Sequence, residues 1–176
     1  MEFADLIKER RSIRMFTPQP VEAEKLEAIL NAANIAPSAG NLQAYEIYVV
    51  TQPEQRAALA LAALNQNFIA QAPVALVFCS HPVRNMPKYG RRGEGLYALQ
   101  DATIACTYAM LAAADQGLGS VWVGAFNDEA VTWVIQPGAD LRSAGPRPVV
   151  ILSIGYAGES PPPRLRRPLT DLVHRL

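Results

Sequence analysis

The stretch from about Leu96 to Gln116 constrains the fold most, because it is apolar on nearly every side. A helix with no polar face has to be covered from several directions, so it should lie at the centre of the protein. Its most apolar part, residues 102–114, contains Thr103, Thr107 and Tyr108 and is too short to cross a bilayer. The stretch therefore predicts a buried central helix and no membrane span.

Four segments have the composition of strands. Residues 45–51 are rich in β-branched and aromatic side chains, and the other three are short or continuously apolar: 74–79, 120–124 and 149–156. Helices are predicted between them, namely one ending at residues 10–14, one from about Glu22, one over 53–64 and a small one capped by Asp128. Strands separated by helices predict an α/β or α+β layered domain.

Two further segments are interrupted by proline. Residues 81–95 are polar and contain prolines and glycines, so we predict a surface loop of the kind that often covers a ligand. Residues 159–168 include four prolines and three arginines. Such a tail cannot fold on itself and should lie extended on another surface, ending in about one helical turn over 169–176.

Composition sets the class of protein. The chain has 176 residues, of which 50% are hydrophobic and 18% charged, and this predicts one globular domain over 1–176 with a tail from about 157. Cys79 and Cys106 lie in apolar runs, so we expect buried, reduced thiols in a cytoplasmic protein. There is no signal-peptide pattern and no cysteine–histidine grouping with metal-ligand spacing, so no metal is expected.

Two basic clusters stand at opposite ends of the chain: Arg10-Arg11-Ser12-Ile13-Arg14 and Arg164-Leu165-Arg166-Arg167-Pro168. The guanidinium group is a planar set of donors that matches phosphate oxygens, and a serine hydroxyl adds a small donor. Because the formal net charge is +0, the clusters predict one discrete anion site more than a nucleic-acid surface. The alternative for either cluster alone is a solvated charged segment.

Four segments together resemble the FMN-dependent nitroreductase family. They are residues 10–16 (RRSIRMF); residues 36–43 (APSAGNLQ); the run from Gln100-Asp101-Ala102 through 117–119 (GLG) to 123–126 (VGAF); and 154–156 (IGY) followed by 164–169 (RLRRPL). The resemblance implies an α+β, nitroreductase-like fold in which helices flank a central, mainly antiparallel sheet. It also implies an intertwined homodimer with FMN in both interface clefts, and the tail extending along the dimer.

The resemblance also assigns roles to residues. It implies phosphate and ribityl contacts from the two basic clusters, a loop around residues 37–41 lent to the flavin of the other subunit, and a backbone facing flavin N5 and O4 at Gly124 and Ala125. The cofactor-binding candidates are Arg10, Arg11, Ser12, Arg14, Pro37, Ser38, Ala39, Asn41, Gln43, Asn65, Gly124, Ala125, Arg164 and Arg166. Weaker candidates are Gln66, Asn67 and Gln100, and the candidates that face the substrate are Tyr89, Tyr97 and Phe126.

Several of these residues also have a purely structural interpretation. Gly124 can be a plain glycine at a strand end, and residues 38–41 can be a connecting turn. Phe126 is expected to pack in the core, and Asp101 to be a structural polar group at a helix start. The family often has proline and an aromatic residue after Gln43, where this chain has Ala44-Tyr45, which changes the local substrate wall.

The function implied is a flavin oxidoreductase in which NADH or NADPH delivers hydride to flavin N5 and a small-molecule acceptor, such as a nitroaromatic or a quinone, then takes the electrons from the same place. No side-chain nucleophile is needed, and His81 and His174 are isolated in the sequence. The alternatives are a flavin-using relative that carries out dehydrogenation, dehalogenation or flavin fragmentation, and a flavin-binding protein without turnover.

Overall fold

The computed structural model describes residues 2–139 and 145–176. Its helices are α1 (Phe3–Glu9), α2 (Ala23–Asn34), α3 (Pro53–Ala62), α4 (Phe68–Gln71), α5 (Pro82–Arg92), α6 (Ala98–Asp115) and α7 (Asp128–Ile135). Its strands are β1 (Tyr45–Val50), β2 (Val74–Ser80), β3 (Gly119–Val123) and β4 (Arg147–Gly155). Short helical turns cover Ala39–Asn41 and Leu169–Asp171, and a π-helical turn over Gly93–Tyr97 joins α5 to α6.

The four strands form one sheet in the order β1-β2-β4-β3, and every neighbouring pair is antiparallel. Helices cover both faces. One face packs on α3, α4 and α7, with Leu59, Ile69 and Val131 fully buried against it. The other face packs on α2 and α6. The predicted antiparallel sheet flanked by helices is confirmed.

Helix α6 is buried on one side only within the described chain. Its alanines and Cys106 pack against the sheet and α2, whereas Leu99 and Tyr108 remain exposed. The prediction of a helix covered on several sides is therefore met only in part by a single chain. No helix in the described ranges is both long and apolar enough to cross a membrane.

Both cysteines are buried free thiols, as predicted. Burial, together with the smaller effect of the Glu46 charge, raises the pKa of Cys79 to about 12. Burial also raises the pKa of Cys106 well above its ordinary value. Both groups therefore stay protonated and unreactive at neutral pH.

The prediction of a surface loop over residues 81–95 is wrong. The segment forms α5, which begins at Pro82, a residue well placed in a first helical turn, and continues past Pro87. Gly90 has φ +55° and bends the helix, and the π-helical turn follows. Pro87 and Gly90 are strong local breakers, but the fully buried Asn85 anchors this helix to the rest of the protein.

Two smaller predictions concern helix α7 and the tail. The N-cap of α7 is Asn127, whose Oδ1 accepts a hydrogen bond of 2.8 Å from the Ala130 amide, and not Asp128, which is the first helical residue. The tail is extended and ends in a short helical turn, as predicted. The sequence over 137–148 also predicts a turn-rich connection, and part of it, residues 140–144, lies outside the described residues.

Candidate functional site

The two ends of the chain lie side by side. Phe16 and Ala157 form an isolated antiparallel bridge, and hydrogen bonds of 2.9 Å (Thr17 N to Tyr156 O) and 2.8 Å (Gly158 N to Met15 O) extend it. The Glu159 carboxylate accepts the backbone amides of Arg14 and Met15 as well. This short ladder brings the N-terminal basic cluster next to the C-terminal one.

A cavity of about 680 Å³ lies between these two clusters. Its lining includes the following cationic side chains: Lys8, Arg10, Arg11, Arg14, Arg164 and Arg166. Ser12 and the three prolines at 161–163 complete much of the wall, and the described lining residues include no carboxylate. The N-terminal basic cluster is fixed to the sheet at β3. Ser12 forms a parallel bridge with Ser120, and the Ile13 amide donates to the Ser120 carbonyl at 3.0 Å.

Arg10 is half-buried and lies among other cationic side chains. Burial lowers the pKa of this guanidinium, and the charges of Arg166 and Arg11 lower it further. Arg11 is partly occupied elsewhere, since its Nη1 donates to the carbonyls of Lys8 (2.6 Å) and Arg10 (3.0 Å) at the end of α1. The remaining arginines thus surround a space in which an anion would relieve an unfavourable concentration of positive charge.

The loop over residues 38–44 is held by one buried carboxylate. Asp101, 1% exposed near the start of α6, accepts hydrogen bonds from the amides of Ala39 (2.8 Å) and Ala44 (3.3 Å) and from Asn85 Nδ2 (3.0 Å). The structural role expected for Asp101 is confirmed. Its hydrogen-bond partners could not be predicted from the sequence, because they lie far from Asp101 along the chain.

Within this loop the backbone takes an unusual path. Gly40, Asn41 and Gln43 all have positive φ angles. The Ser38 hydroxyl accepts the Gln43 amide at 3.1 Å, and Gln43 Nε2 donates to the Asn34 carbonyl at 3.1 Å. Two predicted polar contacts of the flavin, Ser38 and Gln43, are therefore engaged in shaping the loop.

Helix α5 supports the same loop from outside. Arg84 forms an ion pair with Glu46 and donates to the carbonyls of Gln43 (3.0 Å) and Tyr45 (2.8 Å). Tyr89 lies so close to Gly40 that a Cβ atom added there would collide with its hydroxyl. Of the two predicted substrate-facing tyrosines, Tyr89 therefore borders this loop, and Tyr97 packs edge-to-face on Tyr89.

A third group of predicted residues meets beyond the end of β3. Gln66 Nε2 donates to the Ala125 carbonyl at 3.0 Å, which joins the turn at residues 64–67 to the turn at 124–125. Gly124 is exposed, whereas Phe126 is partly buried against the core, as its structural interpretation expects. This hydrogen bond joins two protein groups, so a flavin contact from Asn65, Gln66 or Asn67 stays a prediction.

The structure thus gathers the predicted residues into three groups: the arginine cavity, the loop at 38–43 with the two tyrosines, and the turns at 65–67 and 124–126. Strand β3 connects the first and the third, since Ser120 lies beside Ser12 and Gly124 follows its other end; five residues of strand span roughly 16 Å. No residue of the loop at 38–43 lines the arginine cavity among the described residues. Residues that sequence reasoning missed are Arg84, Asn85 and Ser120, for which no local pattern existed.

The donor set fits FMN, the cofactor that the resemblance implies. The half-buried Arg10 faces like charges, and the described lining of its cavity offers cationic and hydroxyl donors without a competing carboxylate. A phosphate ester with nearly two negative charges is the chemical complement of this set. The residues that would hold the phosphate are Arg10, Ser12, Arg14, Arg164 and Arg166.

The fold is α+β with a cavity lined by cationic side chains, and the comparisons identify the family of the chain. The family model described as the Nitroreductase family matches residues 7–68 and 60–156. The FMN reductase (NADPH) of Bacillus subtilis is 30% identical over 145 residues, which is 75% of this chain and 58% of that protein. The NADH dehydrogenase of Thermus thermophilus is 31% identical over 191 aligned positions, covering 93% of this chain and 91% of the relative.

Comparison with solved structures indicates the same family. The NADPH:FMN oxidoreductase from Vibrio harveyi, complexed with NAD+, superposes with a TM-score of 0.87 at 28% identity, over 98% of this chain and 76% of that one. The chain therefore belongs to the nitroreductase family and is an oxidoreductase with the nitroreductase-like fold. The resemblance read from the four sequence segments is confirmed.

Proposed function

We propose that this protein is an FMN-dependent oxidoreductase that takes electrons from NADH or NADPH and passes them to a nitroaromatic, quinone or similar small acceptor. The observation that carries the proposal is the meeting of Arg10 and Arg14 with Arg164 and Arg166 around one cavity. The relatives support it, because they are named as FMN reductases and NAD(P)H oxidoreductases. When bound, FMN supplies the two-electron chemistry, so no side chain has to act as a nucleophile.

In this proposal the residues of the chain bind and orient the cofactor. The arginines neutralise the phosphate, and Ser12 adds a hydroxyl beside them. At the far end of β3, Gln66 fixes the Ala125 carbonyl. Among the described residues, and apart from the two neighbours of Gly124 in the chain, only Trp122 lies within 4 Å of where a Cβ on Gly124 would stand. A flat ring system can therefore approach this backbone closely, and its amides can donate to the ring.

A homodimer is part of the proposal, and it would place each loop at 38–43 against the flavin of the other subunit. The support is apolar surface that one chain leaves open. Leu165 and Leu176 are fully exposed, Leu169 is 76% exposed, and Ile35 beside the loop is 76% exposed. Association with a second chain would remove large apolar side chains such as these from water. The tail would then extend from a single domain along the partner.

The proposal is tested by purifying the protein, recording its absorbance spectrum and adding NADH or NADPH without oxygen. We expect a bound flavin that bleaches on donor addition and recovers with an acceptor. Initial rates with both substrates varied should give parallel reciprocal plots, since donor and acceptor use the same space in turn. Flavin that binds but does not bleach would favour a binding protein without turnover, and intersecting plots would contradict the shared site.

A further inference from the structure

Four side chains on α5 and the π-helical turn contact one another in the order Lys88, Tyr89, Tyr97 and Arg92, and we call them the Lys88–Arg92 row. Lys88 Nζ lies 5.2 Å from the centroid of the Tyr89 ring, and the rings of Tyr89 and Tyr97 meet edge-to-face with centroids 5.2 Å apart. The Arg92 guanidinium carbon lies 5.5 Å from the Tyr97 centroid, and Arg92 Nε donates to the Tyr97 hydroxyl at 3.0 Å. Two aromatic rings are thus bracketed by two cations.

The π-helical turn creates this arrangement. It begins at Gly93, where a Cβ atom would stand 2.6 Å from the Asn85 carbonyl oxygen and 2.8 Å from the Tyr89 Cβ. Only glycine allows the turn to close this tightly on α5 and bring Tyr97 back beside Tyr89. The row is therefore specified by the packing of the turn and does not arise from chance meetings of surface side chains.

The row borders the candidate site. A Cβ atom built on Gly40 would meet both the Tyr89 hydroxyl and Lys88 Nζ, so these groups lie directly against the loop at 38–43. Arg84 and Asn85 tie the same helix to that loop and to Asp101. Whatever ligand reaches the loop from this side also meets the row.

Neither cation of the row has an acidic partner among residues 2–139 and 145–176. In the part of the chain that the structure describes, no carboxylate lies within salt-bridge distance of Lys88 or Arg92. The acidic residue nearest in sequence, Glu94, is exposed and pairs with neither. Unpaired cations held on aromatic faces keep their charge available for an anionic ligand, and the rings offer an apolar surface for a planar group.

We infer that the Lys88–Arg92 row recognises the ester phosphate that distinguishes NADPH from NADH, with the tyrosine rings receiving the adenine. This inference rests on the proposed function and specifies its donor. A dinucleotide carries a second ring system and an anionic ester at a distance from its nicotinamide. These two groups match the rings and the cations of the row better than an acceptor with a single ring does. The same chemistry, an anion on a planar molecule, could also come from an anionic acceptor, and the test separates the two.

The test uses the FMN-loaded protein and two variants, Lys88→Gln and Arg92→Gln, with Arg91→Gln as a matched control. Arg91 lies on the same helix and is exposed, so its replacement removes the same charge without touching a ring. Calorimetry compares adenosine 2′,5′-bisphosphate with adenosine 5′-monophosphate. We expect the wild type and Arg91→Gln to bind the bisphosphate about fivefold more tightly or better, and both test variants to lose that preference.

Stopped-flow reduction with NADPH and with NADH gives the second reading. The test variants should require about fivefold more NADPH for half-maximal reduction, with the NADH dependence unchanged. Equal changes for both donors, or an equal loss in Arg91→Gln, would overturn the inference because a general charge effect would then suffice. Wild-type protein that neither donor reduces would refute the proposed function, whereas the bisphosphate binding would still decide the inference.

A further experiment compares the rate at which the protein reduces the anion 4-nitrobenzoate with the rate for the neutral 4-nitrobenzyl alcohol. Variants that lose nitrobenzoate selectivity while keeping NADPH selectivity would overturn the assignment to the donor. Unchanged acceptor selectivity together with lost NADPH selectivity is the result expected.

Discussion

Replacing Asp101 with alanine should destabilise the protein more than any surface substitution near the site. The carboxylate is 1% exposed and accepts three hydrogen bonds, from the amides of Ala39 and Ala44 and from Asn85. Hydrogen bonds to charged groups contribute about 1.5–3 kcal/mol each but are not additive, and alanine would leave three donors without their acceptor inside the protein. We therefore expect Asp101→Ala to lower the free energy of unfolding by about 3–5 kcal/mol, the upper range for a broken buried network.

Urea denaturation at a fixed protein concentration measures this change, followed by circular dichroism and by tryptophan fluorescence. Gln100→Ala is the matched control, because Gln100 is the exposed neighbour of Asp101, and it should stay within about 0.5 kcal/mol of wild type. Asp101→Asn keeps the shape but places an amide NH2 group among donors. It should lose about 2 kcal/mol and remain folded for flavin titration, in which a misplaced loop weakens binding.

Two results would refute the reasoning. A loss below about 1 kcal/mol in Asp101→Ala would mean that the three donors find other partners. Unchanged flavin affinity in the folded Asp101→Asn variant, alongside the expected loss of stability, would mean that the loop at 38–44 has no part in the flavin site.

Three further predictions concern the arginines, the loop and the thiols. Arg14→Ala and Arg166→Ala should each weaken FMN binding by about 1.5–3 kcal/mol, the range for charge-assisted contacts, and equal flavin content after dialysis would contradict this. Gly40→Ala should lose at least about 1 kcal/mol in thermal or urea unfolding, because its φ of +56° disfavours a side chain and the new Cβ would collide with Tyr89. Cys79 and Cys106 have raised pKa values when folded, the first to about 12, so stability should be intact below about pH 9 and should fall as pH rises toward 12. A double Cys→Ala variant should fall less steeply, and an identical slope would exclude the thiols as the cause.

The strands and the long helix could be predicted because their signals are local. Apolar runs marked β2 and β4, and the alanine-rich stretch marked α6, each within a few residues of its observed limits. The two basic clusters were predicted to form one anion site, and the ladder between residues 14–17 and 156–159 does bring them together. The charge of the two clusters and the zero net charge of the chain were sufficient for this prediction.

Helix α5 and its contacts with the loop could not be predicted from the sequence, because they depend on long-range contacts. Residues 81–95 contain breakers that favour a loop, but Asn85 is buried against Asp101 and Gly93 closes tightly on Tyr89, so tertiary packing overrides the local preference. The support that Arg84 gives to the loop joins residues about forty positions apart. No local pattern encodes such a pair, and only the fold shows it.

The most direct test of the central claim, that arginines from both ends of the chain form one phosphate site, is a titration of the apoprotein with FMN and with riboflavin, which lacks the phosphate. The account predicts that FMN binds about a hundredfold more tightly or better, and that this difference shrinks at least about tenfold in Arg166→Ala. Equal affinity for the two flavins, or a preference for FMN that survives the loss of Arg166, would contradict it.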